Sequence, residues 1–227
     1  MPISGTIYSN TNDGYVALFN QSTWADAKGT TGNSAASNTS GHVYGASAYR
    51  ASARGGGYTY SVYRSFFYFN TSLITKDVVS ATLKLYGYSN GGGDLIVVKS
   101  NSDIETLGTA DFDSIVGWDG VGMNGSGGGD NESNVTKYST NFDEIGTWST
   151  SGYNDIPLNA QALVDMRNDD TFYICVLNYD YDLKDEEPEG DSAHKNGFYY
   201  QNYSGTSRDP KIEFTYKAHA TFFGTNF

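Results

Sequence analysis

Apolar and polar residues alternate along several short stretches of the chain, with the period of a half-buried β-strand. The clearest stretch is 78–88, where alanine or leucine at positions 81, 83 and 85 alternates with polar or tyrosine side chains. We therefore expect one face of this strand to be buried and the other to meet solvent. Residues 58–69 differ, because aromatic side chains fall on both faces near the end of the run. That pattern indicates a central strand covered on both sides, or one with a face in an interface.

Gly, Asn, Ser and Asp separate these stretches, as they do in the turns between strands. The predicted strands are residues 5–8, 13–19, 42–50, 58–69, 78–88, 95–100, 153–158, 171–179, 197–203 and 211–216. Helix is predicted as a turn capped by Ser22, as a short segment from Thr109, and over 159–167 with Asn159 as the N-cap. Many short strands with helices only in connections predict an all-β sandwich, here a single domain of residues 1–217.

The amino-acid composition supports this fold class and argues against binding to nucleic acids or membranes. Of the 227 residues 15% are aromatic, which favours strands, and only 18% are charged. The net charge is −12 and the basic residues are not clustered, so the chain lacks the patch that binds a nucleic-acid backbone. An anionic membrane surface would also repel it. No run of about 20 apolar residues is present in the sequence, so we expect no membrane insertion.

The first residues, Met1 to Gly5, lead directly into a predicted strand, without the basic and apolar regions of a secretory signal peptide. If Met1 is the native start, we expect a chain that is made in a cytoplasm and that leaves it only by lysis.

The densest group of carboxylates lies in the loop 180–191. Calcium takes six to eight oxygen ligands, and carboxylates one or two residues apart on a loop are suited to supply them. The candidate calcium ligands are Asp180, Asp182, Asp185 and Glu186. The alternative is a solvated acidic loop, since the spacing is not that of an EF-hand. Asp13 and Asp26 are further candidates for an ion site at the edge of the sandwich.

No pattern typical of a catalytic site occurs in the sequence. The three histidines lie far apart, outside any metal-ligand spacing, and there is no Gly-x-Ser-x-Gly nucleophile motif. Cys175 lies in an apolar run, which indicates a small buried residue rather than a reactive thiol. We therefore expect a protein without catalytic activity, with calcium as the one candidate cofactor.

Aromatic residues outside the main strands are candidates for ligand contact, because the CH faces of sugars pack on aromatic rings. The candidate glycan-stacking residues are Trp118, Trp148 and Tyr153. The alternative for each is packing in the core or in an interface. The aromatic tail, residues 218–227, contains three phenylalanines that are costly to expose to water: Phe222, Phe223 and Phe227. We expect them to pack on the sandwich or, by preference, on a neighbouring subunit of a homo-oligomer.

Three segments, in this order, resemble the DNRLRE-type domain: 63–72 (YRSFFYFNTS), 79–86 (VSATLKLY) and 209–216 (DPKIEFTY). The resemblance implies a jelly-roll-like antiparallel β-sandwich similar to carbohydrate-binding modules. Such domains occur in cell-surface proteins of bacteria and archaea and in phage virion proteins. The chain departs from the family at Asn70, where the family has aspartate, which weakens a metal role at that position.

Together these features predict a non-catalytic virion structural protein, a capsid decoration or appendage subunit that self-associates and adheres to surfaces. Its partners would be other virion or surface-structure subunits. The alternative is a carbohydrate-binding or adhesion module of an extracellular protein or filament, located at a cell surface and binding polysaccharide. Oligomers with affinity for capsid or filament partners favour the first hypothesis, and glycan binding with or without calcium favours the second.

Overall fold

The computed structural model describes residues 3–37, 39–101, 104, 106–118, 131–142 and 147–217. The strands in these ranges are β1 (Ile3–Tyr8), β2 (Gly14–Gln21), β3 (Ser34–Ser37), β4 (Gly41–Ser52), β5 (Tyr58–Asn70), β6 (Val78–Asn90), β7 (Leu95–Lys99), β8 (Tyr153–Pro157), β9 (Thr171–Asn178), β10 (Ser192–Tyr199) and β11 (Lys211–Tyr216). Neighbouring strands pair in antiparallel fashion, and helices occur only as short connections. The predicted all-β antiparallel sandwich is thus confirmed.

The helical segments are α1 (Trp24–Ala27), α2 (Asn131–Asn134), α3 (Ala160–Asn168), a 3-10 turn (Thr109–Asp113) and a π-helical turn (Tyr179–Leu183). Asn159 caps α3 as predicted, because its side-chain oxygen accepts a hydrogen bond from the Ala162 amide at 3.1 Å. The prediction for α1 was wrong by one residue. Thr23, not Ser22, is the N-cap, and its hydroxyl accepts from the Asp26 amide at 3.0 Å.

Two long strands, β5 and β6, organise the sheet. The hydrogen-bonded order is β1-β11-β6-β10-β4-β5-β2-β3, with β8 added to β6, and with β9 joining β5 to β7. Each long strand changes partner along its length: β6 pairs with β11 and β8 before it reaches β10, and β5 leaves β4 to pair with β9. The two ends of one strand therefore belong to different parts of the sandwich.

Two apolar cores lie on opposite faces of the β5–β9–β7 layer. The inner core packs Phe67 and Phe69 of β5 against Leu83 and Leu85 of β6. The outer core, centred on Phe66, is closed by α1, the 3-10 turn and the π-helical turn. Every residue of β5 from position 60 to 69 is buried, which confirms that this strand is covered on both sides.

The opposite layer, built around β6, is covered on one face only. Ala81, Leu83 and Leu85 are buried, whereas the residues between them are half-buried, as the alternation in the sequence predicted. In β11 the buried residues are Ile212 and Phe214, and their neighbours again face outward. On the outward face of this layer, regularly spaced side chains can meet a partner.

Two strand predictions needed correction. β10 begins at Ser192 rather than 197, because the polar residues at its start are held by pairing with β4. β3 falls between the predicted strands 13–19 and 42–50, where the sequence predicted no strand. Its small residues, Ser-Ala-Ala-Ser, carry no apolar alternation, and pairing with β2 makes them a strand.

Among the described residues, no helix has both the length and the apolar character to cross a membrane.

The same substitution at two leucines tests the inner core. Leu83 is fully buried, whereas Leu73 is 86% exposed. Leu83→Ala is expected to lower the free energy of unfolding by about 2–5 kcal/mol, through lost burial and a cavity. Leu73→Ala is expected to change it by less than about 0.5 kcal/mol. Urea unfolding of both variants measures the difference, and equal effects would contradict this placement of β6.

Candidate functional site

A buried guanidinium group lies in the middle of the outer core. Arg64 on β5 has no exposed side-chain surface. Its Nε and Nη2 donate to the two carboxylate oxygens of Asp182, both at 2.8 Å. Its Nη1 donates to Asp113 and to the Phe112 carbonyl, both at 2.7 Å. Burial alone lowers the pKa of Arg64, but these acidic partners outweigh burial and hold it above its usual range.

A second buried cation, Lys28, completes this cluster from the end of α1. Its ammonium lies 3.7 Å from Asp182 and 3.2 Å from Asp185, and it also donates to the Asp182 carbonyl. Burial lowers the pKa of Lys28, and the two carboxylates oppose that effect. Asp182 thus pairs with two buried cations. These ion pairs connect the loop after β9 to both β5 and α1.

Aromatic rings enclose the Arg64 guanidinium. The guanidinium carbon is 4.0 Å from the Phe112 ring centre and 4.1 Å from that of Trp118. Cation–π contacts of this kind are strengthened when water is excluded. Trp118, a candidate for glycan stacking, is half-buried, with one ring face occupied by Arg64. Its role in the described structure is to cover the charge cluster.

The four candidate calcium ligands are all engaged by protein cations. Asp182 and Asp185 pair with Arg64 and Lys28, as described above. Asp180 and Glu186 pair with Lys184 at 2.9 and 3.0 Å. Within the described ranges, no three His, Cys, Asp or Glu side chains are grouped so as to hold a metal ion. Calcium binding by this loop stays a prediction, and the arrangement of the loop gives it no support.

Asp13 and Asp26, the further candidates for an ion site, and Cys175 lie outside the acidic loop. Asp13 is fully buried, accepts from the Ser9 hydroxyl at 2.6 Å, and has a pKa raised to about 7 by burial. Asp26 is exposed in α1. Cys175 is buried as predicted, and burial raises the pKa of its thiol.

The remaining aromatic candidates for contact with a ligand or a subunit differ in where they lie. Trp148 is only 4% exposed and packs in the inner core, where its indole N–H donates to the Gly197 carbonyl at 3.2 Å. Its ring is therefore not presented to a ligand. Tyr153 lies on the outward face of the β6 layer. The three phenylalanines of the aromatic tail, Phe222, Phe223 and Phe227, lie outside the described residues.

Tyr153 belongs to a group of tyrosines on that outward face, which we call the tyrosine face. Its members are Tyr8, Tyr86, Tyr88, Tyr153, Tyr199 and Tyr203, all half-buried or exposed. Adjacent rings meet edge to face, with Tyr86 5.3 Å from Tyr153 and 5.7 Å from Tyr199. The series continues from Tyr199 to Tyr88 at 5.0 Å and to Tyr203 at 4.6 Å.

Hydrogen bonds fix two rings of the tyrosine face. The Tyr86 hydroxyl donates to the Ser151 carbonyl at 2.7 Å. The Tyr153 hydroxyl lies 3.0 Å from the Asp209 carbonyl, and burial raises its pKa to about 12, so it is neutral at physiological pH. These two rings are therefore held in place by the protein itself.

Two cations lie against these rings: Lys211, whose ammonium is 4.7 Å from the Tyr153 ring centre, and Arg208. The Arg208 guanidinium is 4.6 Å from the ring centres of Tyr199 and Tyr203, and 5.0 Å from that of Tyr86. It forms no ion pair with a carboxylate among the described residues. The guanidinium thus adds hydrogen-bond donors to an otherwise neutral group of rings.

The other charges on this face are paired with one another. Lys84 lies 2.8 Å from Asp155 and 3.6 Å from Glu213, and Lys211 lies 2.7 Å from Glu213. The hydrogen bond from Lys211 lowers the pKa of Glu213, so this carboxyl stays ionised.

A second aromatic group, around His42, differs in its packing. The His42 ring stacks on Tyr63 at 5.2 Å, and Tyr63 stacks on Tyr44 and Tyr49. Tyr63, at the centre of this group, is buried, whereas every member of the tyrosine face is half-buried or exposed. Burial lowers the pKa of His42 to about 4, so it is neutral here. The tyrosine face is consequently the better candidate for contact with a ligand.

Neither the role of Arg64 nor most of the tyrosine face was evident from the sequence. A lone arginine inside an aromatic strand was the available signal for a buried cation. The signal for the tyrosine face was the alternation in 78–88, which put Tyr86 and Tyr88 on the outward side. Tyr199 and Tyr203 join this face only through the pairing of β10 with β6, which the sequence does not specify.

Matched Asp→Asn substitutions test the buried charge cluster. Asp182→Asn leaves Arg64 and Lys28 without their shared carboxylate, and should lower the free energy of unfolding by about 3–5 kcal/mol. Asp180→Asn, in the same turn, removes only a partly exposed pair with Lys184 and should cost less than about 1 kcal/mol. Chemical denaturation measures both, and similar losses would show that Asp182 is not the anchor.

Asp13 should make stability depend on pH. Its folded pKa of about 7 exceeds the ordinary value of 3.8, so its contribution is complete below that value and is lost as the pH rises through 7. Relative to Asp13→Asn, the unmodified chain should lose up to ~1.4 kcal/mol per pH unit between pH 4 and 7. Denaturant titrations of both chains across this range measure the difference. A constant difference would show that Asp13 has an ordinary pKa.

A comparison with protein-family models found no match to this chain, and a search of the curated proteins found none either.

Proposed function

We propose that this chain is a non-catalytic adhesion module that binds polysaccharide through the tyrosine face. The observation that carries the proposal is the row of hydrogen-bonded and edge-packed tyrosines around Arg208 on the outward face of the β6 layer. Tyrosine combines a flat apolar ring with a polar hydroxyl, and sugars likewise combine apolar CH faces with hydroxyl groups. The resemblance to carbohydrate-binding modules points to the same ligand class.

The geometry suits an extended polymer better than a small molecule. The rings lie on a sheet surface, across β6, β8 and β10, rather than in a deep cavity. A row of aromatic side chains on a sheet surface can contact successive sugars of one chain, while Arg208 donates to their oxygens. Because Tyr86 and Tyr153 are already held by hydrogen bonds, little side-chain entropy is lost on binding.

The charged groups on this face favour recognition over hydrolysis. Glycoside hydrolysis requires a carboxyl that carries a proton beside a second, ionised one. On the tyrosine face Asp155 and Glu213 are paired with lysines, and the lowered pKa of Glu213 suits a charge partner rather than a proton donor.

We also propose that the protein is located on a virion, as an appendage or decoration subunit. The alternative location is a cell-surface structure. A module that holds a polysaccharide fits either place, since both require adhesion to a glycan-coated surface.

Affinity electrophoresis against a panel of polysaccharides, with and without calcium, tests the proposed function. The double variant Tyr88→Ala/Tyr199→Ala should weaken binding about tenfold, since each aromatic contact contributes about 0.5–1.5 kcal/mol. The matched control is Tyr58→Ala, because Tyr58 is 45% exposed and Tyr88 is 44% exposed, but Tyr58 lies at the start of β5, off this face. The control should bind as the unmodified chain does.

Two results would contradict the proposed function. One is that no polysaccharide in the panel retards the unmodified chain. The other is that Tyr58→Ala weakens binding as much as the double variant, which would place the contact elsewhere. Unfolding curves of each variant establish that the chain is still folded.

A further inference from the structure

An apolar groove lies between the start of β6 and the exposed side of α3. It has a volume of about 470 Å³, and its apolar lining comes from Val78, Ala160, Leu163 and Val164. Val164 is 51% exposed. The described residues therefore leave a strip of aliphatic surface open to water at this point.

The sequence of α3 explains why it has two apolar sides. Ala162 and Met166, four residues apart, are buried in the inner core. Ala160, Leu163 and Val164, at the spacing of an adjacent helical stripe, line the groove, and Leu163 also packs against the inner core. Packing against the sandwich accounts for the first stripe but not for Val164. An additional apolar partner is needed to remove the second stripe from water.

The path of the chain leads to this groove. β11 runs antiparallel to β6, with Tyr216 paired to Val78, and the Lys217 amide donates to the Asp77 carbonyl at 3.0 Å. Asp77 is itself a lining residue. The chain after Lys217 therefore starts at the edge of the groove.

The aromatic tail that follows has suitable chemistry and reach. Residues 218–227 include Phe222, Phe223 and Phe227 and contain no Asp, Glu, Lys or Arg. Phe222 lies five positions after Lys217, a span of at most ~17 Å when the chain is extended. A tether this short gives an effective concentration in the millimolar range, which favours the same chain over a second copy.

We infer that the aromatic tail docks in the groove between β6 and α3 of its own chain. Phenylalanine rings from positions 222–223 would cover Leu163 and Val164. This inference is independent of polysaccharide binding, because the groove and the tyrosine face are formed by different side chains.

Disulfide trapping in the full chain tests the inference. Val164→Cys combined with Phe223→Cys should cross-link within one chain at least tenfold faster than Tyr58→Cys combined with Phe223→Cys. Tyr58 is 45% exposed and Val164 is 51% exposed, so the two positions are similarly accessible. Tyr58 lies at the start of β5, about 40 Å along that strand from its other end at Asn70. Native Cys175 is buried and should not compete. Non-reducing gels with intact mass separate cross-links within a chain from those between chains.

Hydrogen exchange gives a second readout that requires no cross-link. In Phe222→Ser/Phe223→Ser, amides of residues 160–168 should exchange faster than in the unmodified chain, while amides of β9 should be unchanged. Equal trapping rates for the two cysteine pairs, or equal exchange in the two chains, would overturn the inference. Predominant cross-linking between chains would also overturn it, and would assign the tail to a neighbouring subunit.

Discussion

The constraint on which much of this structure depends is the buried guanidinium of Arg64. A cation without access to water requires anionic partners, and truncating such a partner costs several kcal/mol. Asp182 and Asp113 meet that requirement from two different connections, and Asp182 also binds Lys28. One arginine on the central strand thereby fixes the π-helical turn, the 3-10 turn and α1 on the outer face of the β5 layer.

This arrangement gives the acidic loop a structural explanation. Acidic residues in a loop are usually assigned to solvent or to a metal ion, and here the counter-charge is internal. Asp182 lies inside the protein, whereas Asp180 and Glu186 pair at its surface with Lys184. These connections cover the outer face of the β5 layer. Regularly spaced side chains therefore meet solvent on the β6 layer, where the tyrosines lie.

The sequence predicted the fold class, most strands and α3, because these depend on local alternation and on caps such as Asn159. It predicted β3 and the start of β10 poorly, since their residues carry no apolar period and are ordered by neighbouring strands. The candidate site was harder to predict from the sequence for the same reason. Tyr153 was identified, but Tyr199 and Arg208 reach it through pairing and loop geometry across more than 40 residues of sequence. Trp148 illustrates the converse, because an aromatic residue in a loosely patterned segment turned out to be core.

The pairing of β1 with β11 has a mechanical consequence. Ile3 lies opposite Tyr216, so the two ends of the sandwich emerge side by side from one antiparallel ladder. Tension applied between those ends would load the ladder one hydrogen bond at a time, and would peel β1 away at low force. The β1–β11 ladder is therefore the weak point of the sandwich under tension between its own ends.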